Sequence, residues 1–223
     1  MKIEEGLNGM KVLVVGANGQ IGRHFVKMLA DSEEHIPKAM IRKEEQISFF
    51  NSLGVESVLT SLEGSVEEIA GAMQGCDAVV FAAGSGGGTG ADKTLLIDLD
   101  GAAKTIEAAE QTGTERFLMI SAINADKRNM WKEDMAHYYV AKHHADNILR
   151  ASGLVYTIIR PGLLTNNPGT GKILATENLD SGEIPREDVA HVLLHSLANE
   201  HVYNKTFEII SGEQDIEDAL NRL

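Results

Sequence analysis

Short apolar runs of strand length alternate with amphipathic stretches of helix length along almost the whole chain. The first run, 11–16, reads KVLVVG and does not alternate apolar with polar residues, as expected of a strand buried on both faces. Strands separated by helices form parallel sheets that are covered on both faces. The pattern therefore predicts an α/β protein, a three-layer, doubly wound parallel sheet of about seven strands with helices on both faces. The strands are predicted at 11–16, 38–41, 55–59, 77–82, 116–120, 155–159 and 206–210, and the helices at 20–30, 44–51, 66–73, 93–111, 135–151 and 186–199.

The domain organisation is predicted to be simple. No linker, internal repeat or low-complexity tract interrupts the alternation, so residues 1–223 are expected to form a single domain. Two irregular stretches depart from the rhythm, the glycine-rich 84–90 and a region at about 163–185. Both follow predicted strands whose carboxyl ends would border a ligand crevice. The second is interpreted as a small substrate-side region.

The charge balance narrows the class of partner. The chain has 20 Lys and Arg against 33 Asp and Glu, a formal net charge of −13. A surface this acidic repels nucleic acid and anionic membranes, so a small-molecule substrate is the expected partner. The single cysteine, Cys76, rules out an intramolecular disulfide, and the polar N-terminus and lack of a long apolar run predict a cytoplasmic location. The sequence leaves quaternary structure open, a homo-oligomer included.

A glycine motif follows the first predicted strand and opens the first predicted helix. It reads G-x-x-G-x-x-G, with its glycines at Gly16, Gly19 and Gly22. The first permits a tight turn, the second lets backbone amides approach a pyrophosphate, and the third lets helix and strand pack closely. This placement is typical of a Rossmann fold that binds a dinucleotide at the helix N-terminus. The expected contacts come from Gly16, Asn18, Gly19, Gln20, Ile21 and Gly22.

The end of the second predicted strand bears on which dinucleotide binds. An acidic residue there would contact the ribose 2′-hydroxyl of NAD, but Arg42 and Lys43 occupy the position. A guanidinium suits a 2′-phosphate, so NADP is favoured over NAD. In the alternative interpretation, Arg42 is a solvated strand end with Glu44 and Glu45 as surface partners.

Tyr138 and Lys142 are four residues apart on a predicted helix and therefore share one face. The pKa of free tyrosine is about 10, and a neighbouring ammonium stabilises the phenolate. Lys142 is thus expected to lower the pKa of Tyr138 and make its hydroxyl a usable proton donor or acceptor. Such a pair also occurs by chance on many helices. Tyr139 is in the wrong phase to pair with Lys142.

Together these motifs give the chain a resemblance to a known family over almost its whole length. The chain resembles the atypical, NAD(P)-binding branch of the short-chain dehydrogenases/reductases, which is similar to NAD-dependent epimerases and dehydratases. The resemblance is carried by the glycine motif, Ala82-Ala83-Gly84, Asp98 before Gly101, Ser121, Tyr138-x-x-x-Lys142, Arg160-Pro161-Gly162 and Arg186-Glu187-Asp188-Val189-Ala190.

The resemblance implies roles for these residues. Tyr138 would protonate a carbonyl oxygen, Lys142 would also hold the nicotinamide ribose, and Ser121 would bind the substrate oxygen. Pro161 would place backbone near the nicotinamide. The adenosine side of the cofactor would be lined by Ala82, Ala83, Gly84, Leu62 and Glu63, although Glu63 stands where the family often has an aspartate.

Three functions fit this resemblance. The first is NADPH-dependent reduction of a carbonyl on a small, uncharged or apolar substrate. A nucleotide-sugar epimerase or dehydratase is the second, although only about 60 residues follow Pro161 to grip such a substrate. The third is an NADP(H)-sensing regulator without turnover, a class in which many members have lost the tyrosine or the lysine. No metal is expected, because His137, His143 and His144 lack a second set of ligands at metal spacing.

Overall fold

The computed structural model describes residues 9–223, and within them the central sheet has nine strands in the order β11-β8-β10-β6-β5-β4-β1-β2-β3. The seven strands from β10 to β3 are all parallel, and they are the seven that the sequence predicts. The strands are β1 (Met10–Val15), β2 (His35–Ile41), β3 (Glu56–Leu59), β4 (Ala78–Phe81), β5 (Arg116–Ile120), β6 (Val155–Pro161), β7 (Leu163–Thr165), β8 (Lys172–Thr176), β9 (Glu183–Pro185), β10 (Lys205–Ser211) and β11 (Gln214–Asp215).

Helices cover both faces of this sheet and complete the three predicted layers. On one face α1 and α7 pack over a core that includes Phe25, Leu29 and Leu193. On the other face α3, α5 and α6 enclose a core that includes Ile69 and Leu149. The α-helices are α1 (Gln20–Ala30), α2 (Ile47–Ser52), α3 (Val66–Met73), α4 (Ala91–Lys93), α5 (Gly101–Thr112), α6 (Ala136–Ala151), α7 (Arg186–Ser196) and α8 (Ile216–Leu220).

The sequence predicts an irregular region at 163–185, but the structure has three short strands there. β7 and β9 pair with each other as a separate two-stranded sheet, and β8 joins the central sheet antiparallel to β10. Runs of three residues are too short to show a period, which is why the pattern misses β7 and β9. β8 is an edge-proximal strand in which Ile173 alone is fully buried, so it lacks the apolar run of the parallel strands.

The helix predicted at 93–111 is continuous but not regular. A short α4 leads into a π-helical segment at Thr94–Asp100, and α5 continues from Gly101. π-Helical turns inside α-helices are rare and are frequent at functional sites. Here the wider turn carries Asp98, which is only 1% exposed, into the protein interior.

The topology gathers the predicted site residues at one edge. β1 lies between β2 and β4, so the chain moves outward in opposite directions from this point, where open α/β sheets form their ligand crevice. Gly16, Arg42, Ala82 and Ser121 each follow the carboxyl end of a parallel strand. The sheet therefore brings them to the same side of the molecule.

Candidate cofactor-binding and active site

The glycine motif has the geometry of a phosphate-binding loop. Gly16 has a φ of 84°, and a Cβ there would lie 2.6 Å from the backbone nitrogen of Ala83, which follows β4. A Cβ on Gly22 would contact the carbonyl oxygen of Gly16. Helix α1 begins after Gly19 with no side chain capping its first amides. Those N–H groups are thus available to an anion, and the loop fits the pyrophosphate of a dinucleotide.

A cleft of about 250 Å³ opens beside this loop at the carboxyl ends of β1 to β4. Nine of the predicted cofactor residues line it: Gly16, Asn18, Gly19, Arg42, Leu62, Glu63, Ala82, Ala83 and Gly84. Six others do not: Gln20, Ile21, Gly22, Lys43, Lys142 and Pro161. The cleft therefore corresponds to the adenosine half of the expected cofactor path.

Several lining residues are missed by the sequence reasoning. Met40 and Ile41 come from the end of β2, Thr60 and Ser61 follow β3, and Gln46 begins the next helical stretch. Four of these lie where predicted strands end, so the strand pattern alone could have identified them. Gln46 has no such signal. Its Oε1 accepts a hydrogen bond of 3.1 Å from the backbone nitrogen of Arg42.

Arg42 and Lys43 differ in their surroundings. Arg42 lines the cleft, and within residues 9–223 no carboxylate lies within 4.0 Å of its guanidinium. Lys43 does not line the cleft and lies 3.5 Å from Glu45, with both side chains exposed. The surface pairing considered for Arg42 is thus made by Lys43. Glu63 is also engaged, because Lys93 approaches its carboxylate to 2.7 Å.

Two acceptors hold the buried ammonium of Lys142 near the carboxyl end of β5. Its Nζ donates to the carbonyl oxygen of Ile120 at 3.0 Å and lies 3.4 Å from Asp98 Oδ1, and the residue is 5% exposed. The ring centroid of Tyr138 is 5.8 Å from the same nitrogen. Because an ammonium carries three protons, one donor remains for a ligand or for Tyr138.

The pKa of Tyr138 differs from the sequence expectation. Burial raises it above the ordinary value, and although Lys142 lowers it as expected, Asp98 adds to the increase and the net direction is upward. For Lys142, burial lowers the pKa, but the charges of Tyr138 and Asp98 outweigh this and the net direction is again upward. The two groups are therefore protonated together at neutral pH.

Asp98 links Lys142 to the loop after β4. Its Oδ2 accepts a hydrogen bond of 2.9 Å from the backbone nitrogen of Ser85, and a Cβ on Gly84 would lie 3.2 Å from Oδ1. One carboxylate thus fixes both the catalytic candidate on α6 and a wall of the cofactor cleft. The sequence motif marks Asp98 but does not reveal this contact.

Ser121 is buried at the end of β5. It is 2% exposed, and its Oγ has no hydrogen-bond partner within the described residues. Burial raises the pKa of the Asp146 carboxyl, while the charge of Arg160 and the Ser121 hydroxyl act in the opposite direction. Asp146 accepts two hydrogen bonds, of 2.9 and 2.8 Å, from Arg160. Ser121 therefore lies in the protein interior and does not line the cleft.

Glu208 is a buried carboxylate on β10 that the sequence analysis did not predict as a site residue. It is fully buried on β10 and accepts from the backbone nitrogens of Asn124 at 2.8 Å and Leu179 at 2.6 Å, and from Lys127 Nζ at 3.3 Å. The loop after β5 and the loop before β9 are thereby joined. A carboxylate between the apolar Phe207 and Ile209 of a predicted strand was the available signal.

Trp131 lies in the loop after β5 and packs on Tyr139, whose ring is edge-on to that of Tyr138 with centroids 5.6 Å apart. Its Nε1 donates to the carbonyl oxygen of Asn124 at 3.0 Å, and its ring stacks on Tyr139 with centroids 6.0 Å apart. Tyr139 is therefore occupied in packing, and Tyr138 is the tyrosine beside Lys142. His143 packs edge-on to Trp131 and lies 3.1 Å from the carbonyl oxygen of Ala125.

Pro161 ends β6 at the same edge. Its carbonyl oxygen accepts a hydrogen bond of 3.0 Å from Ile123, and a Cβ on Gly162 would contact the carbonyl oxygen of Gly182. The backbone here is tightly enclosed between the loop after β5 and the turn before β9. Pro161 is therefore fixed close to the strand end that carries Ser121.

Residues 9–223 contain no group of three or more His, Cys, Asp or Glu side chains arranged to hold a metal ion. Nor does any helix in this range have the length and apolar character needed to cross a membrane.

Comparison with known proteins adds relatives over the whole chain. The uncharacterized sugar epimerase YhfK of Bacillus subtilis (strain 168) is 54% identical over 214 residues, covering 96% of this chain and 100% of that protein. UPF0659 protein YMR090W of Saccharomyces cerevisiae is 38% identical over 228 residues, covering 97% and 100%.

Solved structures give the same fold and a family model gives the ligand class. A candidate NAD-dependent epimerase/dehydratase from Bacillus halodurans has a TM-score of 0.91 and 43% identity, covering 96% of this chain and 100% of that one. The oxidoreductase ylbE from Lactococcus lactis has a TM-score of 0.87 and 32% identity, covering 96% of each chain. A family model described as NAD(P)H-binding matches residues 16–200. The chain therefore belongs to this NAD(P)H-binding family, within the atypical short-chain dehydrogenases/reductases.

Proposed function

We propose that the chain is a cytoplasmic, NADPH-dependent oxidoreductase that reduces a carbonyl on a small substrate. The observation that carries the proposal is the buried ammonium of Lys142, held between Ile120 and Asp98 with Tyr138 beside it. Asp98 also contacts the loop that borders the cofactor cleft. A proton donor and a dinucleotide site are thus joined by a single side chain.

The cofactor would lie along the carboxyl edge of the sheet. Gly16, Gly19 and the first amides of α1 would hold its pyrophosphate, and Arg42 would hold the 2′-phosphate that distinguishes NADP from NAD. When bound in its reduced form, the cofactor would supply a hydride, that is, two electrons and one hydrogen nucleus. The carbonyl oxygen also needs a proton, which in this proposal the chain supplies.

Tyr138 is proposed to donate that proton to the carbonyl oxygen. Burial keeps its hydroxyl protonated at neutral pH, and the adjacent ammonium of Lys142 stabilises the negative charge left on the phenolate. The free N–H of Lys142 would bind a ribose hydroxyl of the cofactor. Ser121 is the member of the proposed set with least access to substrate, since it is only 2% exposed.

Cofactor preference is tested by fluorescence titration with NADPH and NADH. Arg42→Ala should weaken NADPH binding about tenfold or more and leave NADH binding unchanged, because only NADPH carries the 2′-phosphate. Lys43→Ala is the matched control, since Lys43 pairs with Glu45 outside the cleft. Equal affinities for the two cofactors in the wild type would refute the assignment of Arg42.

Proton donation is tested by turnover of a panel of carbonyl compounds. Tyr138→Phe should lower kcat by about 100-fold or more, as expected for loss of a general acid, while NADPH binding is retained. Tyr139→Phe is the control, because Tyr139 packs on Trp131. Ser121→Ala should cost less than Tyr138→Phe. A fully active Tyr138→Phe variant would contradict the proposed mechanism.

Epimerisation is the second candidate, and it is favoured by the name of the 54% identical relative from Bacillus subtilis. A reversible oxidation would use the same tyrosine and lysine in both directions. The two activities differ in stoichiometry, because an epimerase converts its substrate with no net consumption of NADPH. Binding of NADPH without either activity would instead favour a sensor.

A further inference from the structure

A second depression, of about 590 Å³, lies outside the cofactor cleft. We call it the cationic groove, and it is defined by Arg23, His24 and Lys27 of α1 and Arg186 of α7. Gln20 of the glycine motif and residues 166–168, which follow β7, also line it. It therefore adjoins the loop that is proposed to hold the cofactor pyrophosphate.

The charge of the groove opposes that of the molecule. The chain carries 33 acidic against 20 basic residues, yet within residues 9–223 no carboxylate lies within 4.0 Å of the charged groups of Arg23, Lys27 or Arg186. Glu187 also lines the groove, but its Oε2 accepts the backbone N–H of Gly169 at 2.7 Å. Three cations without carboxylate partners thus converge on one concave surface of an acidic protein.

The arginines are oriented by neutral partners. Arg23 donates through Nε and Nη2 to Asn18 Oδ1, at 3.2 and 2.7 Å, and its guanidinium lies 4.4 Å from the ring centroid of Phe49. Arg186 Nη1 donates to Asn166 Oδ1 at 2.7 Å. Amide oxygens and an aromatic face fix an arginine without cancelling its charge. Both guanidiniums therefore keep N–H groups and full charge for an anion.

A hydroxyl in the wall adds an unused polar group. Thr165 Oγ1 is buried and has no hydrogen-bond partner among the described residues. Thr165 also ends β7, which begins two residues after Pro161 at the proposed active site. One short strand, β7, therefore connects the groove to the end of β6, which carries Pro161.

We propose that the cationic groove binds a phosphate or carboxylate group of the substrate, so that the enzyme acts on an organic anion. This substrate class rests on the proposed function, whereas the binding of an anion in the groove does not. It replaces the uncharged or apolar substrate expected from the sequence. The groove supplies positive charge locally, which an acidic protein needs in order to hold an anionic ligand.

Anion binding is tested with inorganic phosphate as the probe, at constant ionic strength, by equilibrium dialysis against NADP⁺-saturated protein. Lys27→Gln/Arg186→Gln should weaken phosphate binding about tenfold or more, because each change removes a charge-assisted contact. Lys205→Gln/Arg222→Gln removes two exposed positive charges elsewhere and should leave binding unchanged. Equal phosphate binding by the two double variants would overturn the proposal, as would no binding by the wild type.

The source of the anion is distinguished by the cofactor that is present. The same dialysis is repeated with NAD⁺-saturated protein and with protein alone. If NADP⁺ blocks phosphate binding and NAD⁺ does not, the groove holds the cofactor's own 2′-phosphate and the second-ligand proposal fails. Binding that persists with both cofactors supports a separate anion.

Substrate class is tested with two aldehydes that differ in one phosphate, glyceraldehyde 3-phosphate and glyceraldehyde. The wild type should prefer the phosphorylated aldehyde in kcat/KM by about tenfold or more, and Lys27→Gln/Arg186→Gln should lose this preference. A preference retained by that variant contradicts the assignment to substrate. If neither aldehyde is reduced, the proposed function fails on this pair, and the dialysis result still decides whether the groove binds an anion.

Discussion

At the scale of single residues, the candidate active site depends on the groups that keep the buried ammonium of Lys142 protonated. Burial alone would lower the pKa of Lys142, and its interactions with Tyr138 and with the carboxylate of Asp98 reverse this. Asp98 also raises the pKa of Tyr138. It is a positioning residue, because it acts on the reaction through the lysine and tyrosine without contacting substrate.

Asp98→Asn should therefore change the pH dependence of turnover. Carbonyl reduction needs a protonated Tyr138, so kcat falls as the pH rises through its pKa. Removing the charge of Asp98 lowers the pKa of both Tyr138 and Lys142, so the alkaline limb of the profile should move to lower pH. Asp100→Asn is the control, since Asp100 pairs with the surface Lys104 at 2.9 Å. Identical profiles for the two variants would contradict this role of Asp98.

At the scale of elements, β10 positions two loops that are separated in the sequence by three strands, β6 to β8. Glu208 presents an acceptor to two backbone amides and to Lys127 from a fully buried position. Apart from a 3₁₀ turn at Arg128–Met130, the loops at 121–131 and 177–182 contain no helix or strand, and this carboxylate is a contact that they share. Glu208 on β10 thus holds together these two loops, one of which carries Trp131.

Glu208→Gln should loosen both loops at once. A glutamine offers one acceptor oxygen and places an NH₂ group against donors, which leaves buried amides unsatisfied at a cost of about 2–3 kcal/mol in the free energy of unfolding. Hydrogen exchange should accelerate at 121–131 and 177–182 and remain unchanged in β1 and α1. Glu183→Gln, at an exposed position on β9, should leave exchange in both loops as in the wild type. Faster exchange confined to one loop would show that Glu208 does not couple them.

The elements also show where sequence reasoning succeeds and where it stops. The central parallel strands are predictable because burial on both faces gives them nearly continuous apolar runs, as in β4, where all four residues are apolar and buried. β7 and β9 are not, because three residues contain no period. The glycine loop and the Tyr138–Lys142 pair follow from local spacing. The inward turn of Asp98 and the contacts of Glu208 join residues far apart in sequence, and no local pattern encodes them.

At the scale of the whole molecule, the two edges of the sheet have different roles. The cleft and Lys142 lie at the carboxyl ends of the strands. At the amino ends, the buried Arg116 at the start of β5 connects this strand to α7. Its guanidinium donates to the carbonyl oxygens of Ser196 and Leu197 at the end of α7, at 2.6 and 2.9 Å, and to Thr157 Oγ1 at 2.7 Å. It thereby satisfies carbonyls that a helix C-terminus leaves unpaired. Burial lowers the pKa of Arg116 to about 10, so it is charged at neutral pH.

Arg116→Lys should separate stability from function. Lysine keeps the charge but has one nitrogen in place of three, so it cannot reach both α7 carbonyls and Thr157 together. We expect the free energy of unfolding to fall by about 3 kcal/mol, measured by urea denaturation with an unchanged m-value. NADPH affinity and kcat of the folded variant should equal those of the wild type, because Arg116 is a strand length away from the cleft. Arg222→Lys, at an exposed position, should change neither quantity. Weaker NADPH binding by Arg116→Lys would contradict this separation. It would mean that losing the Arg116 contacts at the amino ends of the strands changes the cleft at their carboxyl ends.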